Sequence, residues 1–158
     1  MLELPVYHAK IEPQWIDFNG HLRDAYYGLV ASYAIDDFMD YLGLDAGYRA
    51  RTHCTLYTLE LHLHFLHEVK STDDLRVESV ILDFDRKRIH VGCRFTCSRV
   101  SDPVATTDMM LLHVHQGDKP SAAPFPEQVQ AKLAQLQASA AARDAFAPAS
   151  RKIELKRR

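Results

Sequence analysis

Trp15-Ile16-Asp17-Phe18-Asn19-Gly20-His21-Leu22-Arg23-Asp24-Ala25-Tyr26-Tyr27 decides the reading of this chain, because a turn bearing a carboxylate runs straight into a long apolar segment. Asn19-Gly20 marks the turn, since both residue types tolerate positive φ. Asp17 stands among Trp15, Ile16 and Phe18, which strip water from a carboxylate wherever they close over it. This places an acid or base candidate at the entrance to a helix. The competing use of Asp17 is local: an aspartate in a turn accepts hydrogen bonds from its own backbone.

Working outward, Ala25 to Leu42 carries Tyr26, Leu29, Val30, Tyr33, Ile35, Phe38, Met39, Tyr41 and Leu42, apolar surface on more than one side of a buried helix. Asp24 reads as its N-cap and Gly43 as its stop, giving about 18 residues and roughly 27 Å. A strand is expected near Val6 to Ile11 and a polar connection over Asp45 to Thr52. From Cys54 the pattern changes to alternating or apolar segments at 54–67, 75–84, 87–99 and 103–115, separated by turn-rich stretches. These read as four strands of an antiparallel meander. In the first, Leu59, Leu61, Leu63 and Phe65 share one face and Glu60, His62 and His64 the other, so one side is expected to pack on the helix. The expected class is α+β, a curved antiparallel sheet wrapped around a central helix. Residues 1–120 form the main domain; 121–158 supply a peripheral helix from Glu127 to about Arg143, with Val129, Leu133 and Leu136 on a narrow stripe, and a basic tail.

With 158 residues, 47% hydrophobic and 25% charged, the chain is long enough for one domain with a real core. A formal net charge of -2 gives no general case for nucleic acid, and Arg151-Lys152 with Lys156-Arg157-Arg158 reads as a solvated terminus. No stretch reaches the roughly 18 uninterrupted apolar residues of a membrane span, and Met1-Leu2-Glu3-Leu4-Pro5 has no export-signal pattern, so a cytoplasmic location is expected. Of three cysteines, Cys93 and Cys97 lie four apart on a strand, about 13 Å, too far for a disulfide. Buried free thiols are expected.

A partly desolvated Asp17 suits either covalent attack or activation of water. Asn19 and His21 would orient substrate or water, and N–H groups around Gly20 and the helix start would polarise a carbonyl. Glu60 with His62 and His64, joined by His67 and Glu68 at the strand end, forms a second candidate group. His113 and His115 add another His-x-His pair, but no spacing fixes a tetrahedral set, and no metal is expected. Trp15, Phe18, Tyr26, Tyr27 and Tyr57 offer aromatic faces that, with Asp24, suit a quaternary ammonium, a contact worth about 2 kcal/mol when desolvated. Core packing is the competing use of each ring.

Asp17, Gly20, His21, Asp24, Ala25 and Tyr27 together resemble the signature of hotdog-fold acyl-CoA thioesterases of the 4-hydroxybenzoyl-CoA thioesterase type. The resemblance implies the hotdog fold, with Asp17 as nucleophile or general base on the thioester and the carbonyl pointing to a helix N-terminus. Asp24 departs from it, standing where many relatives carry Asn or His. The likeness extends through Glu12 to Leu22, Tyr57-Thr58-Leu59-Glu60, His67-Glu68-Val69, Leu75-Arg76-Val77 and Asp85 to His90, which resemble the thioesterase module fused behind some bacterial L-carnitine dehydrogenases. That implies betainyl-CoA as substrate, with glycine betaine and CoA as products and coenzyme A entering only as part of the substrate. Arg49, Arg51, Arg86, Lys87 and Arg88 are candidates for the CoA phosphates. The family implies sheets joined edge to edge, in a homodimer or homotetramer. A thioesterase for aryl- or fatty-acyl-CoA and a non-catalytic acyl-CoA-binding module are the competing readings.

Overall fold

The computed structural model describes residues 4–137 and residue 142. In chain order its elements are β1 (Val6–Ala9), a 3-10 turn (Pro13–Trp15), α1 (Asp24–Leu42), α2 (Ala46–Thr52), β2 (Cys54–Phe65), β3 (Leu75–Phe84), β4 (Arg88–Cys97), β5 (Val100–His115), β6 (Ser121–Ala122) and α3 (Glu127–Leu136). The strands form one antiparallel sheet in the order β1-β3-β4-β5-β2, with β6 paired to β5. Alternation decides which side is buried. In β4, Ile89, Val91, Cys93, Phe95 and Cys97 point into the core beside Val77 and Ile81 of β3 and Met109 and Leu111 of β5.

α1 lies against this inner face. Tyr27, Val30, Ala31, Ala34, Ile35, Phe38, Met39 and Leu42 are its buried residues, a stripe at three- and four-residue spacing, while Asp36, Asp37 and Asp40 face outward. The helix is therefore amphipathic rather than apolar all round. Its cap also differs from expectation: Arg23 is the N-cap residue, and Asp24 is the first helical residue, its Oδ1 accepting from the Ala25 N–H at 2.8 Å. An acid there still suits the positive end of the helix dipole. Gly43 closes the helix as expected, with φ +89, a conformation in which any side chain would be strained.

Three further expectations are corrected. Residues 45–52 are not an irregular connection: Asp45 accepts from the Tyr48 N–H at 2.7 Å and caps the seven-residue α2. The four long strands are not a simple meander, because β2 pairs with β5, the last of them in sequence, rather than with β3. That makes β2 an edge strand, and a bulge between Thr58 and Glu60 breaks its alternation. Leu59, Leu61 and Phe65 keep much of their surface exposed, although Leu61 lies beside Gly28 and Phe65 against Tyr27 of α1; Leu63 packs against the core.

At the far end, Phe125, Val129 and Leu133 bury themselves in the same hydrophobic core as the sheet. His113 pins this segment: its Nε2 lies 2.9 Å from the Tyr48 hydroxyl and its Nδ1 2.9 Å from the Ala123 carbonyl, with Phe125 packed on the ring. Lys132 ties α3 to α1 by donating to the Tyr41 carbonyl while lying over the Tyr41 ring. The helix expected to reach Arg143 is described to Leu136; its remainder, the alanine-rich run and the basic tail lie outside the described residues. Cys54, Cys93 and Cys97 are buried free thiols, as expected. Among the described residues no helix is long and apolar enough to cross a membrane.

Candidate active site

The loop before α1 is a closed hydrogen-bonded unit. The Asp17 N–H donates to the His21 carbonyl at 2.8 Å and the Gly20 N–H to the Asp17 carbonyl at 3.0 Å. Gly20, at φ +79, supplies the left-handed residue this turn needs. Asp17 Oδ1 accepts from the N–H of Asn19 at 2.8 Å and of His21 at 3.0 Å. The turn-forming use of Asp17 is thus real, yet it occupies one carboxylate oxygen and leaves Oδ2 without a hydrogen-bond partner among the described residues.

These contacts also correct the electrostatic expectation. The His21 N–H holds the Asp17 carboxyl below the usual range, helped by the Asn19 N–H and the charges of His21 and Arg23 against a smaller effect of burial. Phe18 does not close over it, being 93% exposed, and Trp15 turns away to stack on Tyr26 at 5.3 Å between ring centroids. Asp17 in this chain is a pre-oriented carboxylate rather than a desolvated one.

The loop is held against the segment following β2. The Leu22 N–H donates to the Val69 carbonyl at 2.7 Å, and His21 bridges to Lys70. Between them opens a cleft of about 370 Å³ lined by Asp17, His21, Leu22, Asp24, Tyr27, Phe65, Leu66, His67 and Glu68. Tyr27 meets Phe65 edge to face at 5.1 Å, and burial pushes its phenol up to about 12, so it stays protonated. The first turn of α1 faces the cleft through Asp24 and Tyr27, bringing the positive end of the helix to its wall.

The cleft gathers Asp17, His21, Asp24 and Tyr27, with Asn19 and Gly20 in the turn that supports them. It does not gather the rest. Glu60 sits exposed on β2, paired to His62 at 2.7 Å on the sheet face that also carries His90 and Asp108, themselves hydrogen-bonded. Tyr57 is eight residues from Phe65 along β2, roughly 26 Å of extended strand, so the five aromatic residues form no single cage within one chain. Phe65, Leu66, His67 and Glu68 line the site although sequence reading gave the last two only a supporting place and the first two none. Their signal was weak: an apolar pair at a strand end followed by two polar residues.

The five basic residues also lie away from Asp17. Arg49 donates to the Leu44 carbonyl at 2.8 Å and stands 3.9 Å from Asp40, serving the end of α1, and Arg51 is exposed in the last turn of α2. Arg88 is held by Asp85 through two bonds of 2.7 and 2.5 Å. Arg86 and Lys87 line a separate cleft of about 270 Å³ with Ala122 and Pro124. Among the described residues no three His, Cys, Asp or Glu side chains converge as metal ligands; His113 is committed to Tyr48 and Ala123.

A curved antiparallel sheet around one helix, with an aspartate turn at that helix's N-terminus, defines a hotdog thioesterase-like protein. The profile of the thioesterase-like superfamily matches residues 11–133, and the chain belongs to that superfamily. It is 43% identical over 130 residues to a betainyl-CoA thioesterase of Pseudomonas aeruginosa, covering 82% of this chain and 81% of that one. It is 38% identical over 111 residues to an L-carnitine dehydrogenase/betainyl-CoA thioesterase of Agrobacterium fabrum, 70% of this chain but 22% of that longer protein. Among solved structures, a hypothetical protein of Staphylococcus aureus in complex with CoA superposes with a TM-score of 0.85 at 26% identity, covering 99% of this chain and 98% of the other.

Proposed function

We propose that this chain hydrolyses betainyl-CoA to glycine betaine and CoA, with Asp17 as the reacting carboxylate. The observation that carries the reading is the Asp17 turn: two backbone N–H bonds fix Oδ1, Oδ2 has no hydrogen-bond partner among the described residues, and the α1 N-terminus opens onto the same cleft. The betainyl group is supported by the Pseudomonas and Agrobacterium relatives. Two routes fit. Asp17 takes a proton from water as the water oxygen attacks the thioester carbon, or its Oδ2 attacks that carbon and the resulting anhydride is cleaved by water. In both, the carbon–sulfur bond breaks, CoA leaves as thiolate and is protonated, and helix N–H groups stabilise the carbonyl oxygen as it gains charge. His21, whose N–H fixes Asp17, is the positioning residue. Neither route requires a cofactor, and a CoA ester as substrate places the reaction in the cytoplasm.

The working unit is a homo-oligomer built on β2. Its outer edge is unpaired among the described residues, and the strand exposes Tyr57, Leu59, Leu61 and Phe65, a surface that binds another strand unless covered. Pairing two copies of β2 antiparallel about a two-fold axis sets the Tyr57 end of one against the Asp17 end of the other. The partner's end of the sheet, with Arg86 and Lys87, then flanks the cleft where CoA phosphates would lie, and Glu60 of either copy comes to the interface.

The test is thiol release from betainyl-CoA, acetyl-CoA, 4-hydroxybenzoyl-CoA and a medium-chain acyl-CoA. Asp17→Asn should lower betainyl-CoA turnover by about 10²–10⁴, the scale of one acid–base group. Preference for an aryl or medium-chain ester would reject the betainyl assignment, and tight ester binding without turnover would mark a binding module.

A further inference from the structure

We infer that Glu68 is a specificity-determining residue whose carboxylate, beside the exposed ring of Phe65, holds the cationic end of the acyl group. The inference rests on the proposed hydrolase reading and names the side chain that reads its substrate.

A trimethylammonium group carries a full charge but no N–H, so no acceptor can recognise it by a hydrogen bond. Two things remain: a nearby negative charge, and an aromatic face against its polarised methyl groups. The cleft supplies both. Asp17, Asp24 and Glu68 line it, and no lysine or arginine among the described residues does. Phe65, anchored edge-on to Tyr27, keeps about half of its surface open, 52%. A neutral acyl group would gain nothing from such a wall of carboxylates.

The three acids are not equivalent. Asp17 is committed to its turn and to the reaction. Asp24 is bonded to the Ala25 N–H and faces the positive end of α1. The Glu68 carboxylate faces Arg99 at 3.8 Å, and the charges of His21 and Lys70 also act on it. That guanidinium is already engaged elsewhere, donating to Asp73 at 3.0, 3.2 and 3.0 Å and to the Glu68 carbonyl at 2.6 Å. Arg99 therefore grips the Glu68 backbone while leaving its carboxylate without a side-chain hydrogen bond among the described residues. The adjoining Val69 is fully buried and bonded to Leu22, so the residue is fixed from both sides. Its own N–H and the charges of Arg99, His21 and Lys70 hold the carboxyl below its ordinary range against the effect of burial, so it is ionised at neutral pH.

The experiment compares kcat/KM for betainyl-CoA with that for 3,3-dimethylbutanoyl-CoA, the neutral ester in which carbon replaces the quaternary nitrogen. Glu68→Gln should lower the ratio of the two about tenfold, the size of one cation contact in a partly solvated cleft. Glu68→Lys should lower it further. An unchanged ratio in both variants overturns the inference even if betainyl-CoA is the substrate. Tetramethylammonium chloride, titrated by calorimetry into wild type and Glu68→Gln, reads the contact without turnover: a several-fold weaker Kd in the variant supports it, and equal affinity overturns it. Loss of hydrolysis in the wild type alongside Glu68-dependent tetramethylammonium binding would sink the hydrolase reading but not the cation site.

Discussion

Replacing Arg99 by leucine should destabilise the fold by about 2 kcal/mol and loosen the wall of the cleft. The Asp73 side chain is 3% exposed and that of Arg99 35%. In the wild type Asp73 receives three Arg99 contacts between 3.0 and 3.2 Å and the Lys70 N–H at 2.9 Å. The variant leaves a nearly buried carboxylate with only the Lys70 N–H and the Cys97 thiol as partners. Orphaning one partner of a fully buried pair costs roughly 3–5 kcal/mol, and a fully exposed pair costs less than about 1; a third of the guanidinium in water puts this pair near 2. For a chain of this length that is about 4–8 °C in Tm. Urea unfolding at pH 7 should show a lower midpoint with an unchanged slope. The loss should also depend on pH. Burial pushes the Asp73 carboxyl up, but Arg99 and the Lys70 N–H hold it below its ordinary value of 3.8. Its contribution is therefore present above the unfolded value of 3.8 and disappears as pH falls through the lowered folded value, so the gap between wild type and variant should narrow steadily in acid below that point. A midpoint change worth less than about 0.5 kcal/mol at pH 7, the level of an ordinary surface pair, would refute the reasoning.

Two further outcomes follow from geometry already described. Burial pushes the His113 imidazole below 6.5, against the pull of the Ala123 and Pro124 carbonyls; its stabilising effect is present above pH 6.5 and lost as pH falls through the lowered folded value. Thermal melts should weaken below about pH 6.5, and His113→Leu should melt lower at pH 8 with a shallower acid slope, since the apolar side chain has no proton to gain; identical slopes would remove His113 from the acid response. Leu61→Glu on the bare edge of β2 should convert an oligomer to a monomer in sedimentation and depress turnover with Asp17 intact, whereas an unchanged mass would exclude this edge as the contact.

Local chemistry made much of this molecule legible. Asn19-Gly20 announced the turn, Gly43 the end of α1, and alternation in β4 its buried row, because each depends on residues within a few positions of one another. The choice of β5 as partner for β2 depends on a register between Cys54 and His115 that no local pattern encodes. The edge position of β2 then left Leu59 and Leu61 more exposed than alternation alone predicts. Helix α2 was missed because seven residues with Tyr48 alone buried show no periodicity. At the site, Asp17 was readable as both turn former and candidate acid; the structure commits Oδ1 to the turn, and the proposed reaction falls to Oδ2. The wall from Phe65 to Glu68 was scarcely legible, since its relevance comes from the Val69 and Lys70 contacts to the motif loop.

The strand order also sets a timetable for the growing chain. β2 leaves the ribosome with Leu56, Leu59, Leu61, Leu63 and Phe65, but its partner residues run from Ala105 to His115. Cys54 must wait for His115, about 60 residues later, or roughly 3–12 s at 5–20 residues per second. During that interval the strand is an apolar ribbon with both edges open. Glu60, His62 and His64, interleaved among its leucines, act as gatekeepers by making stacking against another nascent copy electrostatically and sterically poor. Their polarity therefore serves the chain before any cleft exists, by keeping β2 soluble until β5 arrives.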